Sequence, residues 1–128
     1  MFQPCDQERL PLFVYGSLRR GEQNHGFLAG RYDAVEAATV ADYCRSTAAH
    51  GWPLAVPAAG QRLDGELFWI RAELFVQTLA DCDQLEDLPA GQLRGDYYQR
   101  AVVIARAATG EYRAWAYVAP AAAHSPGG

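Results

Sequence analysis

Leu12-Phe13-Val14-Tyr15-Gly16-Ser17-Leu18-Arg19-Arg20-Gly21-Glu22-Gln23-Asn24-His25 opens as an apolar run and stops abruptly at Tyr-Gly-Ser, where a polar, glycine-bounded loop begins. The pattern predicts a strand, then a loop, then a short helix. Gly16 permits a positive φ or a close backbone approach, so the amides of Gly16, Ser17 and Leu18 can converge on one point as an anion-binding concavity. A small carboxylate would suit it. A phosphate loop is excluded, because no G-x-x-x-x-G-K-[S/T] is present and the chain has no lysine. The bare strand-Gly-Ser pattern is commoner as an ordinary strand-to-turn connection.

The remaining chain reads as one domain. Its 128 residues, half of them hydrophobic, suffice for a folded domain with a single core. The net charge of −4, with every basic side chain an arginine, offers no stripe for a phosphate backbone, so nucleic acid is not an expected partner. Cys5, Cys44 and Cys82 are odd in number and lack disulfide or zinc spacing; they read as reduced thiols in the cytosol. No basic segment leads into an apolar one at the N-terminus, and no apolar run reaches about 18 residues, so no membrane segment is expected.

Residues 1–10 read as an extension, 11–119 as the domain and 120–128 as a flexible tail. Strands are expected at 12–15, 34–44, 63–70, 98–105 and 111–118, the last two joined by a hairpin connection over 106–110. Gly65 inside Leu63–Ile70 hints at a bulge. His50 to Pro57 carries two prolines and is expected as an edge segment that lays Trp52 and Leu54 over the barrel or pocket. In the final strand Tyr112, Ala114, Ala116 and Val118 share one face, and Arg113, Trp115 and Tyr117 the other.

Residues 72–87 form the one convincing helix. Leu74, Phe75, Thr78, Leu79, Cys82 and Leu85 make its apolar stripe, and Glu86 breaks it. At about 100° per residue, Phe75, Leu79, Cys82 and Glu86 fall in one row, which directs the carboxylate along the buried face. Periodicity leaves equally open that Glu86 lies past the last turn and is simply solvated. Residues 88–97, with Pro89, Gly91 and Gly95, read as a surface excursion.

Tyr15 to His25 closely resembles the opening motif of the γ-glutamylcyclotransferase-like family, which includes the γ-glutamylamine cyclotransferases and AIG2-like proteins: Tyr-Gly-(Ser/Thr)-Leu, basic residues, Gly, then Asn-His. The family's second motif, L-D-x-x-E followed by Tyr-x-Arg and a strand, resembles Cys82-Asp83-Gln84-Leu85-Glu86, then Tyr98-Gln99-Arg100 and Ala101 to Ile104. The ordered pair covers roughly residues 12–118. This resemblance implies an α+β fold, a mainly antiparallel, barrel-like mixed sheet of five or six strands with one main packed helix. It also implies a reaction in which the substrate's own α-amine attacks its γ-carbonyl, releasing an amine or amino acid and 5-oxoproline.

In that reading Glu86 is the general acid/base, and the amides of Gly16, Ser17 and Leu18 hold the α-carboxylate. Tyr15 walls the cradle, Tyr98 lines the pocket, and Tyr117 supplies a hydroxyl or serves as a core aromatic. No cofactor or metal is expected, since three scattered histidines lack ligand spacing and the acidic residues near 81–87 point to different sides of a helix. His25 is expected to pack or hydrogen-bond within its loop, and Glu66 to lie on a wet strand face. Two departures stand out. Asp87 occupies a position where the family often has Gly or Ser, and 88–97 is longer than in the shorter forms, long enough for a lid. The implied partner is a small γ-glutamyl compound. A non-catalytic module binding a small carboxylate or a C-terminus, and an enzyme removing a γ-glutamyl protecting group in one biosynthetic pathway, are the competing readings. The leaving amine and the oligomeric state are not legible.

Overall fold

The computed structural model describes residues 9–47 and 53–120. Residues 1–8 of the expected 1–10 extension, Trp52, and residues 121–128 of the expected 120–128 tail lie outside the described residues. Five strands, β1 (Leu12–Val14), β2 (Tyr32–Ser46), β3 (Leu54–Ile70), β4 (Gln99–Ala107) and β5 (Gly110–Val118), close a barrel in the order β1-β3-β2-β4-β5. All neighbours are antiparallel except β1 and β5, which run parallel through Leu12 opposite Trp115. The Trp115 N–H closes that seam on the Pro11 carbonyl at 2.9 Å.

β1 is short but buried on both faces, as a continuous apolar run requires. Phe13 and Tyr15 point into the barrel with Leu67, Val103 and Val118, where Ala38, Ala105, Ala114 and Ala116 leave room for the rings. Leu12 and Val14 point outward and join Phe68, Phe75, Leu79 and Trp115 beneath the helix. The chain therefore has two apolar clusters, one on each side of the sheet, where length alone suggested one. β5 alternates as its sequence indicates, with Ala114, Ala116 and Val118 inside and Trp115 and Tyr117 under the helix.

The structure corrects four local expectations. Leu54 to Pro57 is the first part of β3, paired from Leu54 opposite Ser46 to Pro57 opposite Tyr43. A proline is tolerated there because β1 reaches only Glu66 to Phe68, so β2 is the one described strand that pairs with this end of β3, although the Ala119 N–H donates to the Ala55 carbonyl at 2.8 Å. The register shifts farther on, between Ala41 and Tyr43, where Asp42 adopts a φ of 65° and Gly60 a φ of 80°. The Gly60 N–H donates to Asp42 Oδ1 at 2.9 Å across that irregularity.

Second, Gly65 carries no bulge, since pairing runs unbroken through Glu66–Ala37, Gly65–Ala38 and Asp64–Thr39. Glycine is needed there for proximity: a Cβ would stand 2.3 Å from the Val14 carbonyl oxygen and 2.8 Å from the Phe13 ring. Third, the expected helix over 72–87 divides into a 3-10 turn, Ala72–Leu74, and the α-helix α1, Phe75–Leu85. Phe75, Thr78, Leu79 and Cys82 are its buried residues. The β4–β5 connection also shortens, with Ala107 pairing with Gly110 around Ala108 and Thr109.

Candidate active site

β1 delivers the chain into the turn at Tyr15 to Leu18, whose carbonyls are all occupied from behind. The Gly16 carbonyl accepts from the Arg19 N–H at 3.1 Å, and the Ser17 carbonyl from the Asn24 N–H at 2.8 Å. His25 Nδ1 lies 3.0 Å from the Leu18 carbonyl, so that nitrogen carries the proton and the ring is fixed in its loop. Among the described residues, no acceptor meets the amides of Gly16, Ser17 or Leu18. Asn24 Nδ2 donates to Ser17 Oγ at 2.7 Å, which leaves the serine O–H as a further donor. Glu66 anchors the loop instead of facing water: its carboxylate accepts from the Arg20 N–H at 2.8 Å and Nε at 2.9 Å.

Gly16 has no positive φ, and a Cβ on it would make only ordinary contact with Pro53 at 3.9 Å. The glycine matters here for open space, since both residues line the same cavity. Gly16→Val is expected to fold and melt like the wild type but bind a γ-glutamyl ligand or 5-oxoproline at least tenfold more weakly (~1.4 kcal/mol). Calorimetry reads this directly, and unchanged affinity would dismiss the cradle.

Glu86 is the capping residue just beyond α1 (φ −90°, ψ 13°), so both sequence readings hold in part: it is past the last turn, yet it is half-buried. The cap explains its position. The Asp87 N–H bonds the Gln84 carbonyl at 3.1 Å and the Leu88 N–H bonds the Asp83 carbonyl at 2.9 Å, with Asp87 left-handed at φ 61°. This is a Schellman ending, in which glycine is the favoured residue at the Asp87 position. Asp87→Gly is accordingly expected to raise the melting temperature through relief of the left-handed strain, about 1 kcal/mol. A lower melting temperature would contradict that account.

Among the described residues the Glu86 carboxyl has no hydrogen-bond or ion-pair partner. Burial pushes its pKa up to about 7, with the charges of Asp87 and Asp83 adding to the effect. The helix C-terminus is also the unfavourable end for a carboxylate. At neutral pH the group therefore divides between acid and base forms.

The Tyr15–Leu18 turn and Glu86 line one cavity of about 520 Å³, together with Tyr98 and Tyr117, so all seven residues singled out in the sequence meet there. The hydroxyl of each of the three tyrosines is already engaged. Tyr15 donates to the Tyr117 carbonyl at 2.5 Å and accepts from the Ala55 N–H at 2.9 Å. Tyr98 donates to the Pro53 carbonyl at 2.7 Å, and Tyr117 to Asp83 Oδ1 at 2.6 Å. Burial raises the pKa of all three, which keeps them neutral. Cys82, beneath Glu86, is pushed up to about 12 by burial and is no nucleophile.

Asp83, Asn24 and Pro53 are the participants the sequence did not single out. Asn24 and Asp83 each lay within a quoted motif, with no role assigned to either. Pro53 carried no signal beyond its place in the proline-flanked segment. No group of His, Cys, Asp and Glu suited to a metal occurs among the described residues. Nor is any helix among them long and apolar enough to cross a membrane.

A family model described as gamma-glutamyl cyclotransferase, AIG2-like, matches residues 12–127. The chain belongs to this family. No curated protein matches the sequence significantly. Among solved structures, YkqA from Bacillus subtilis is similar at 24% identity and a TM-score of 0.65; the alignment covers 87% of this chain but only 36% of YkqA. At5g39720.1 from Arabidopsis thaliana is similar at 19% identity and a TM-score of 0.64, covering 98% of this chain and 78% of the other. A structure titled gamma-glutamyl cyclotransferase aligns at 15% identity and a TM-score of 0.56, over 86% of this chain and 66% of its own. These likenesses bear on the barrel and helix shared with the family.

Proposed function

We propose that the chain is a γ-glutamyl cyclotransferase that converts a γ-glutamylamine, or a γ-glutamyl amino acid or peptide, to 5-oxoproline and the free amine. The observation that carries this reading is the unpartnered Glu86 carboxyl, with a pKa near 7, in the same cavity as three unpaired amides. The amides of Gly16, Ser17 and Leu18 bind the substrate's α-carboxylate. This fixes the α-amine relative to the γ-carbonyl and folds the glutamyl chain toward ring closure.

Glu86, ionised, takes a proton from the α-ammonium, whose usual pKa is near 8. The amine nitrogen then bonds to the γ-carbon, the bond from that carbon to the leaving nitrogen breaks as Glu86 returns the first proton to it, and the second proton shed by the ring nitrogen passes to the released amine, which leaves as its ammonium. One group serves both steps, and the substrate supplies the nucleophile.

The test is a panel of γ-glutamyl amines, amino acids and dipeptides scored for 5-oxoproline and released amine in equal amounts. Release from at least one class is expected. Tight binding of γ-glutamyl compounds with no release would instead identify a binding module. The unpartnered Glu86 argues against that outcome, since a negative charge beside the cradle opposes simple carboxylate binding.

A further inference from the structure

Arg100 ends the Tyr-x-Arg motif, and nothing in the proposed chemistry uses it. Its side chain is 4% exposed, and both of its protein hydrogen bonds go to one carboxylate: Nε to Asp83 Oδ1 at 2.8 Å and Nη2 to Asp83 Oδ2 at 3.1 Å. The guanidinium stacks 4.5 Å above the Trp115 ring, and among the described residues its Nη1 has no acceptor. A buried guanidinium with an unpaired arm is unfavourable for the fold, so its dedication to Asp83 calls for a reason. Asp83 stands in the last turn of α1, three residues before Glu86, and also accepts the Tyr117 hydroxyl. Tyr117 in turn accepts from Tyr15, the residue that opens the amide turn. One connected chain of bonds thus ties the helix end that carries Glu86 to β4 and β5, and then to the opposite wall of the cavity.

We propose that Arg100 and Asp83 are positioning residues for the cyclisation, their ion pair setting both the placement and the electrostatic surroundings of Glu86; this rests on the cyclotransferase reading. Other groups facing Glu86 are Asp87 and Cys82 on its own segment, Tyr15 after β1, Tyr98 before β4 and Tyr117 on β5. Arg19 and Glu22 lie across the cavity. Arg100 pairs with Asp83, one of the two carboxylates, with Asp87, whose charge acts on Glu86. Removing the cation and removing the anion should therefore act on Glu86 in opposite directions, which a purely structural brace would not produce.

The experiment compares wild type, Asp83→Asn, Arg100→Met and Arg100→Lys by the pH dependence of kcat/KM for 5-oxoproline release. Each is also followed without substrate by carbon-13 titration of the Glu86 carboxyl. The Glu86 midpoint is expected to fall by about half a unit in Asp83→Asn and to rise by about as much in Arg100→Met. Arg100→Lys should stay near the wild type. In Arg100→Met, kcat should fall about tenfold or more while KM changes less than about threefold. Midpoints that do not move, or that move in the same direction in both variants, overturn the proposal. If Arg100→Met does not fold, the nearly isosteric Asp83→Asn decides alone, and an unmoved midpoint overturns it. If the wild type releases no 5-oxoproline from any substrate, the cyclotransferase reading fails separately, and the substrate-free titrations still decide whether Asp83 and Arg100 govern Glu86.

Discussion

Glu86→Gln is expected to abolish most turnover while keeping the fold and product binding. Glutamine has nearly the shape of glutamate and can hydrogen-bond, but it cannot take a proton from the α-ammonium and return one to the leaving nitrogen. General acid–base groups contribute about 10²–10⁴-fold, and a residue used in both proton steps belongs toward the upper end of that range. The loss should fall on kcat, and Glu66→Gln, which touches only the Arg20 side of the loop, should cost far less. Retention of more than about a tenth of kcat would make Glu86 structural.

The same substitution has a signed effect on stability. The Glu86 pKa is raised, so between about 4.5 and about 7 the folded chain holds a proton that the unfolded chain has lost. Stability therefore declines as pH rises through that window, by roughly 3 kcal/mol in total at 1.36 kcal/mol per unit. Above pH 7 Glu86→Gln should melt higher than the wild type, and near pH 4.5 the two should agree. A buried charge kept at that disadvantage is what a working residue, and not a structural one, would show.

Gly65→Ala is expected to be the most damaging single methyl in the barrel. The added carbon would lie 2.3 Å from the Val14 carbonyl oxygen and 2.8 Å from Phe13, so backbone must move where β3 supports β1. Overpacking of a tight core costs about 1–3 kcal/mol, and a clash with backbone belongs at the top of that range. That corresponds to a loss of roughly 10 °C in melting temperature. Because Val14 leads directly into Tyr15 and Gly16, ligand affinity should fall with it. A variant that melts within about 2 °C of the wild type would show that β1 and β3 can separate freely there.

What the sequence made legible follows from how local each signal was. β1, β5 and α1 could be read because their buried faces are written in contiguous or alternating large apolar residues. The Glu86 placement could be read because a carboxylate interrupts a helical stripe. β2 and the start of β3 were harder, since alanines in Ala34–Ala41 and prolines at 53 and 57 carry little periodic contrast, while their pairing is decided by partners on the other strand. Gly65 resembled a bulge because its real reason, the Phe13 ring and Val14 carbonyl, lies some fifty residues away in sequence. Arg100 shares its parity on β4 with exposed Val102 and Ile104, so alternation alone would place it on the wet face. Asp83 on the covering helix and the Trp115 ring beneath the guanidinium accompany its burial.

The measurement that bears most directly on the central claim is the carbon-13 titration of the Glu86 carboxyl in the substrate-free protein, its signal assigned by its absence in Glu86→Gln. A midpoint near 7, coinciding with the acid limb on which kcat/KM for 5-oxoproline release rises, is the expected result. A midpoint in the ordinary glutamate range near 4.3 would contradict the account.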